Sequence, residues 1–157
     1  MGFLSWLEAS SYANWIAGSA YGWVIMLSLH AIGIATIVGI MFVINLRLLG
    51  LYKTIPCASL GKYLEIVWYG IGLNLFTGLS IFTSQATFYI TSIPFLLKIT
   101  FIVVGSVNLY YTQKILKSDA ANWDATGTVP TLVLVLAASS LVFWTMAVVT
   151  GRLIAYL

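Results

Sequence analysis

Charge is what this chain has least of. Of its 157 residues, seven are Lys or Arg and four are Asp or Glu, 7% in all, against about a quarter in soluble domains. That deficit excludes an ordinary water-soluble globule. The single cysteine, Cys57, excludes an internal disulfide and a thiolate metal cluster. The single histidine, His30, excludes a site in which one chain supplies two histidine ligands. No basic block exists either. The net charge of +3 is spread over Arg47, Lys53, Lys62, Lys98, Lys114, Lys117 and Arg152, which argues against nucleic acid as a partner. Met1 to Ser19 contains Glu8 but no Lys or Arg, so it lacks the basic start of a secretory signal and reads as mature protein. Also missing are a nucleotide-binding loop, zinc-ligand spacing, a Ser/His/Asp set and a membrane-buried carboxylate able to drive proton transport. Alternating ten-residue strands with turn signals are absent, which excludes a β-barrel.

What is present is apolar length. Hydrophobic residues make up 61% of the chain and the mean hydropathy is +1.03. No charged residue occurs between Ala9 and Leu46, and a bilayer core needs about 20 apolar residues. A first transmembrane helix over 20–49 follows, closed by Arg47. Gly50, Pro56 and Gly61 mark a loop, and a second span covers 64–83. Pro94 suits a first helical turn and starts a third span over 94–113. The polar stretch Lys114–Thr128 reads as a loop, and a fourth span runs over 130–152. The chain is thus expected to be all-α, a single membrane domain over 1–157 forming a polytopic four-helix up-down bundle.

Residues 1–18 interleave Phe3, Leu4, Trp6, Leu7, Trp15 and Ile16 with polar residues, the pattern of a short amphipathic helix lying at the membrane surface. Lysines flank the first and third loops, whereas Ser84–Ile93 carries no charge. The positive-inside rule therefore puts both termini outside, with Arg152 dissenting.

Polar residues at membrane depth are the functional pointers. Counting about 1.5 Å per residue outward from Arg47 places His30 in the outer third. Lys98 enters from the same side to similar depth, with Asn74, Thr77 and Ser80 on the second helix and Trp144 and Met146 on the fourth. Met26 and Gly33 share the helix face of His30. A neutral imidazole suits haem iron or copper, and Lys98 suits a propionate, a quinone oxygen or simply the headgroups. A deeper layer holds Asn45, Arg47 and Asn108, set to cap helix ends or to bond across the bundle. Glu65 and Lys62 read as a solvated pair. Gly22, Gly33 and Gly39 fit close helix packing.

Two segments carry a resemblance: HAIGIATIVGIMFVINLRLLGL from His30 to Leu51, and FTGLSIFTS from Phe76 with PFLLKITFIVVGSVNLYY from Pro94. They resemble a group of small four-helix bacterial inner-membrane proteins. More distantly they are similar to the membrane domain of copper-resistance D-type proteins and to the small membrane haem family that oxidises protoporphyrinogen. The resemblance implies haem b, with His30 as axial ligand, Arg47 as inner anchor and Lys98 as the lysine of a later helix. The haem family has further histidines where this chain has Asn108 to Tyr111. Five-coordinate iron, Met26 or Met146, or another subunit would have to complete the site.

The expectation is then a haem b-binding protein of the bacterial inner membrane with an electron-transfer or redox role near the outer face. Asn74 or Thr77 would orient the pocket, and a quinone or redox protein would be its partner. The alternative is a non-catalytic oligomeric module, or an accessory subunit of a larger membrane complex, in which bulky changes at Gly33 or Gly39 break the oligomer. Copper held by His30 and Met26 is a third reading.

Overall fold

A computed structural model of the chain describes residues 2–156, and its regular structure among them is helical. Two short helices come first, α1 (Phe3–Glu8) and α2 (Ser11–Gly18), rather than one. The break falls at Ser10, whose hydroxyl accepts from the Ala13 amide at 3.2 Å and so starts a new helix. Ser19 repeats the device for α3 (Ala20–Leu48), accepting from the Gly22 amide at 2.7 Å. A 3-10 turn at Cys57–Ser59 leads into α4 (Leu60–Ser84). Next come α5 (Ala86–Thr91), α6 (Ile93–Thr126) and α7 (Thr131–Leu153). Four of these helices, α3, α4, α6 and α7, are long and apolar enough to cross a membrane.

The expected spans differ from the helices in one important place. Lys114–Thr126 is not a loop but the continuation of α6. Leu116, Ala120 and Trp123 recur at helical spacing and join Cys57 and Leu60 in the buried apolar core, so one stripe of this polar segment has a core to pack on. Gly127 then ends the helix at φ 70°, its amide returning to the Trp123 carbonyl at 2.8 Å.

The long helices pack as two pairs, α3 along α4 and α6 along α7, joined chiefly where α3 meets α7; α4 and α6 touch little. Gly33 and Gly70 let α3 and α4 approach closely. A Cβ on Gly33 would fall on the Asn74 amide, and one on Gly70 would come 2.9 Å from Ile37. Gly39 has open space around it, so it takes no part in packing within the chain. The outward surface is apolar, with Val24, Ile32, Leu75, Leu79, Val103 and Val135 exposed. Asn45, Thr77, Ser80, Asn108, Thr112 and Ser140 are buried. Such a distribution belongs to a helical protein solvated by lipid.

The N-terminal helices brace one end. Ala13 and Ile16 are buried, and α2 packs on α3 and α4. Tyr12 Oη lies 2.8 Å from Ser80 Oγ, and Glu8 accepts from both the backbone amide and the hydroxyl of Thr87 at 2.8 Å. The other end is tied by Asp124, whose carboxylate accepts from the amides of Cys57 at 2.7 Å and Ala58 at 2.9 Å. Glu65, expected beside Lys62, instead lies 3.8 Å from Lys117 on the α6 extension, both side chains well exposed. Such a pair adds little stability.

Candidate functional site

Three sequence-predicted residues from three helices meet in one chain of contacts. His30 of α3 has Nδ1 2.9 Å from Thr77 Oγ1 of α4, and Nε2 3.4 Å from Lys98 Nζ of α6. Thr77 is fully buried and donates its hydroxyl hydrogen to the Leu73 carbonyl at 2.8 Å, as threonines in helices do. With that hydrogen given to Leu73, its oxygen is free to accept from His30, the arrangement in which the ring proton sits on Nδ1. Nε2 then carries the lone pair and accepts from Lys98. Each member donates to the next, from the ammonium through the imidazole and hydroxyl to a backbone carbonyl.

Glycines make room for this chain. A Cβ on Gly78 would stand 3.4 Å from His30 Cε1, and one on Gly151 of α7 would stand 3.3 Å from Lys98 Cδ. Neither glycine is evident as part of the site from sequence, because their use becomes visible only when the helices are in register. The nearest signals are the glycine one residue beyond Thr77 and the Thr-Gly-Arg at the end of α7.

The remaining predicted residues distribute around or away from this chain. Met26 is buried one turn before His30 on the same helix. Asn74 donates to the Gly70 carbonyl at 3.3 Å and lies against Gly33, so these two serve the α3–α4 contact rather than the imidazole. Trp144 is not level with His30. It packs on Gly105, about 10 Å along α6 from Lys98, while Gly151 takes the position beside Lys98. Because α7 runs to Leu153, its last turns supply that level.

Arg47 does not join the site. Seventeen positions beyond His30, about 25 Å along the helix, it donates from Nε to the Ile55 carbonyl and approaches Asp124. Asn45 bonds Ser140 at 2.9 Å, and Asn108 bonds the Leu136 carbonyl at 3.1 Å and Ser139 at 3.0 Å. Both bridge to α7 rather than capping helix ends or meeting each other.

The residues present do not fit haem as the resemblance implies it. The nitrogen that would take iron already accepts from Lys98. Met26 rises from the same helix face as His30, one turn away, and so cannot reach the opposite face of a macrocycle bound there. No group of three or more His, Cys, Asp or Glu side chains placed to hold a metal ion occurs among the described residues.

Lys98 nonetheless has unmet capacity. An ammonium carries three donors, and among the described residues His30 is its one hydrogen-bond partner, with no carboxylate paired to it. The side chain is half-buried. No protein-family model, curated protein or solved structure matches the chain.

Proposed function

We propose that this chain is a multi-pass protein of the bacterial inner membrane that binds an oxygen acceptor, a quinone carbonyl, at Lys98, in a redox or electron-transfer role near the outer face. The observation that carries this reading is the Lys98 ammonium, held by a neutral His30 and facing no carboxylate among the described residues. The imidazole fixes one of the three N–H groups and so aims the other two. The redox role comes from the resemblance and is placed on a quinone rather than on iron, because His30 Nε2 is engaged. The up-down arrangement with both termini outside is supported by the pairing of early α6 and late α7 with the outer half of α3, and by the lysines at the opposite end.

The test uses detergent-purified protein and a water-soluble short-chain quinone, with binding read from tryptophan quenching. Lys98→Met and His30→Ala are expected to weaken binding at least about tenfold, the loss of one charge-assisted hydrogen bond. Equal binding by Lys98→Met overturns the reading. So does a Soret band in the same preparation that disappears in His30→Ala, which would restore haem.

A second reading, the non-catalytic oligomeric module or accessory subunit, is favoured by the open space at Gly39 on α3 and Gly72 on α4. It predicts that Gly39→Leu changes the size of the purified particle without changing quinone binding.

A further inference from the structure

The end of the bundle away from His30 holds a cation whose donors are mostly unused. The Arg47 side chain is 10% exposed, and a guanidinium carries five N–H donors in a planar fork. One, on Nε, goes to the Ile55 carbonyl. Asp124 does not absorb the rest. Its oxygens accept from the Cys57 and Ala58 amides, and its nearest approach to Arg47 is 3.7 Å, too long for a hydrogen bond. Four N–H groups on the two terminal nitrogens thus have no acceptor among the described residues. They are not sealed in, since neither nitrogen is among the buried unpartnered atoms.

These donors border a hollow of about 280 Å³ to which Lys53, Trp123, Gly127 and Leu134 also contribute. Lys53 reaches it from an unusual loop. Gly50 has φ 99° and Tyr52 has φ 52°, and a non-glycine residue rarely adopts that left-handed conformation. The loop is pegged by Arg47 itself, through Ile55, and by the Leu51 amide on the Leu46 carbonyl at 3.0 Å. The Lys53 chain folds back over Gly50, with Cε 4.0 Å from where a Cβ would stand. Two cations and one committed carboxylate therefore face one concavity, with Leu134 and Trp123 on its apolar wall.

We infer that Arg47 and Lys53 form a phosphate site for the headgroup of an anionic phospholipid. A guanidinium fork matches two phosphate oxygens, and an ammonium adds a point charge beside it. Arg47 ends the charge-free run of α3, which puts the fork at headgroup depth. Basic pockets between helices at that level recognise lipid phosphates. The shared chemistry is the phosphate; its placement at the end of a membrane span selects the lipid as source. This site is independent of Lys98 and stands or falls without the quinone reading.

The experiment compares dioleoylphosphatidylglycerol with dioleoylphosphatidylcholine, added to the detergent-purified full chain, by thermal unfolding and by native mass spectrometry of retained lipid. Phosphatidylglycerol is expected to raise the wild-type melting temperature by several degrees and to leave one tightly retained lipid. Lys53→Gln, an exposed loop position, and Arg47→Lys, which keeps the charge but loses the fork, are expected to lose at least half of that shift and the retained lipid. Lys62→Gln, outside the hollow, is expected to keep both. The proposal is overturned if Lys53→Gln keeps the full shift and the bound lipid, or if phosphatidylcholine matches phosphatidylglycerol throughout. It is also overturned, in favour of a soluble anion site, if inorganic phosphate alone reproduces the effect.

Discussion

Thr77 meets His30 through a single 2.9 Å hydrogen bond. By donating to its own helix at Leu73, it leaves its oxygen to accept from an imidazole protonated on Nδ1, the tautomer that turns a lone pair toward Lys98. At the same scale, glycine decides how closely helices meet. Gly33→Leu should destabilise the chain by about 1–3 kcal/mol, the usual cost of overpacking, because its side chain would displace Asn74. Gly39→Leu, with open space around it, should stay within about 0.5 kcal/mol in the monomer. Unfolding of the two variants in mixed detergent checks this, and equal losses would refute it. A broken oligomer in Gly33→Leu would therefore report on the fold rather than on a partner. His30, Lys98 and Thr77 were legible in the sequence because a polar residue at membrane depth stands out against apolar neighbours. Gly78 and Gly151 were not, since a glycine that makes room for a side chain resembles one that packs helices.

Among the elements, α6 departs most from its reading in the sequence. Polarity over Lys114–Thr126 suggested a loop, yet Leu116, Ala120 and Trp123 already follow helical spacing. The polar residues between them face outward while the stripe packs on the turn into α4. The limits of α3 and α7 were readable because uninterrupted apolar length admits one conformation in lipid. The α6 extension had no such constraint, and only its packing partner reveals it. Asp124 fastens this extension to the turn before α4. Asp124→Ala should cost about 1–3 kcal/mol by orphaning two amides. It should also raise the alkylation rate of Cys57, which is 1% exposed, about tenfold as the turn opens more often. Thiol labelling of the native protein measures this, and an unchanged rate would mean the extension is held elsewhere.

For the whole molecule, the surface is apolar and a few polar side chains lie within a largely apolar core, with every lysine but Lys98 near one end and the N-terminal helices braced against the other. The expected orientation can be read directly in intact cells carrying a Cys57→Ala background. A membrane-impermeant maleimide should label Ser5→Cys and leave Ser118→Cys unlabelled, both positions being exposed. The reverse pattern would invert the protein in the membrane.

The two ends of the bundle are fastened with unequal strength. At one, Asp124 grips the turn into α4 through two short bonds and α6 packs on that turn. At the other, the α3–α4 pair meets α6 through the 3.4 Å contact between Lys98 and His30 and through Phe82 of α4 stacked on Phe95 of α6, ring centroids 5.7 Å apart. One end thus relies on a carboxylate holding two amides, and the other on stacked rings beside one long polar contact. Losing the Lys98 ammonium would leave the rings at its end stacked and the Asp124 end still fastened.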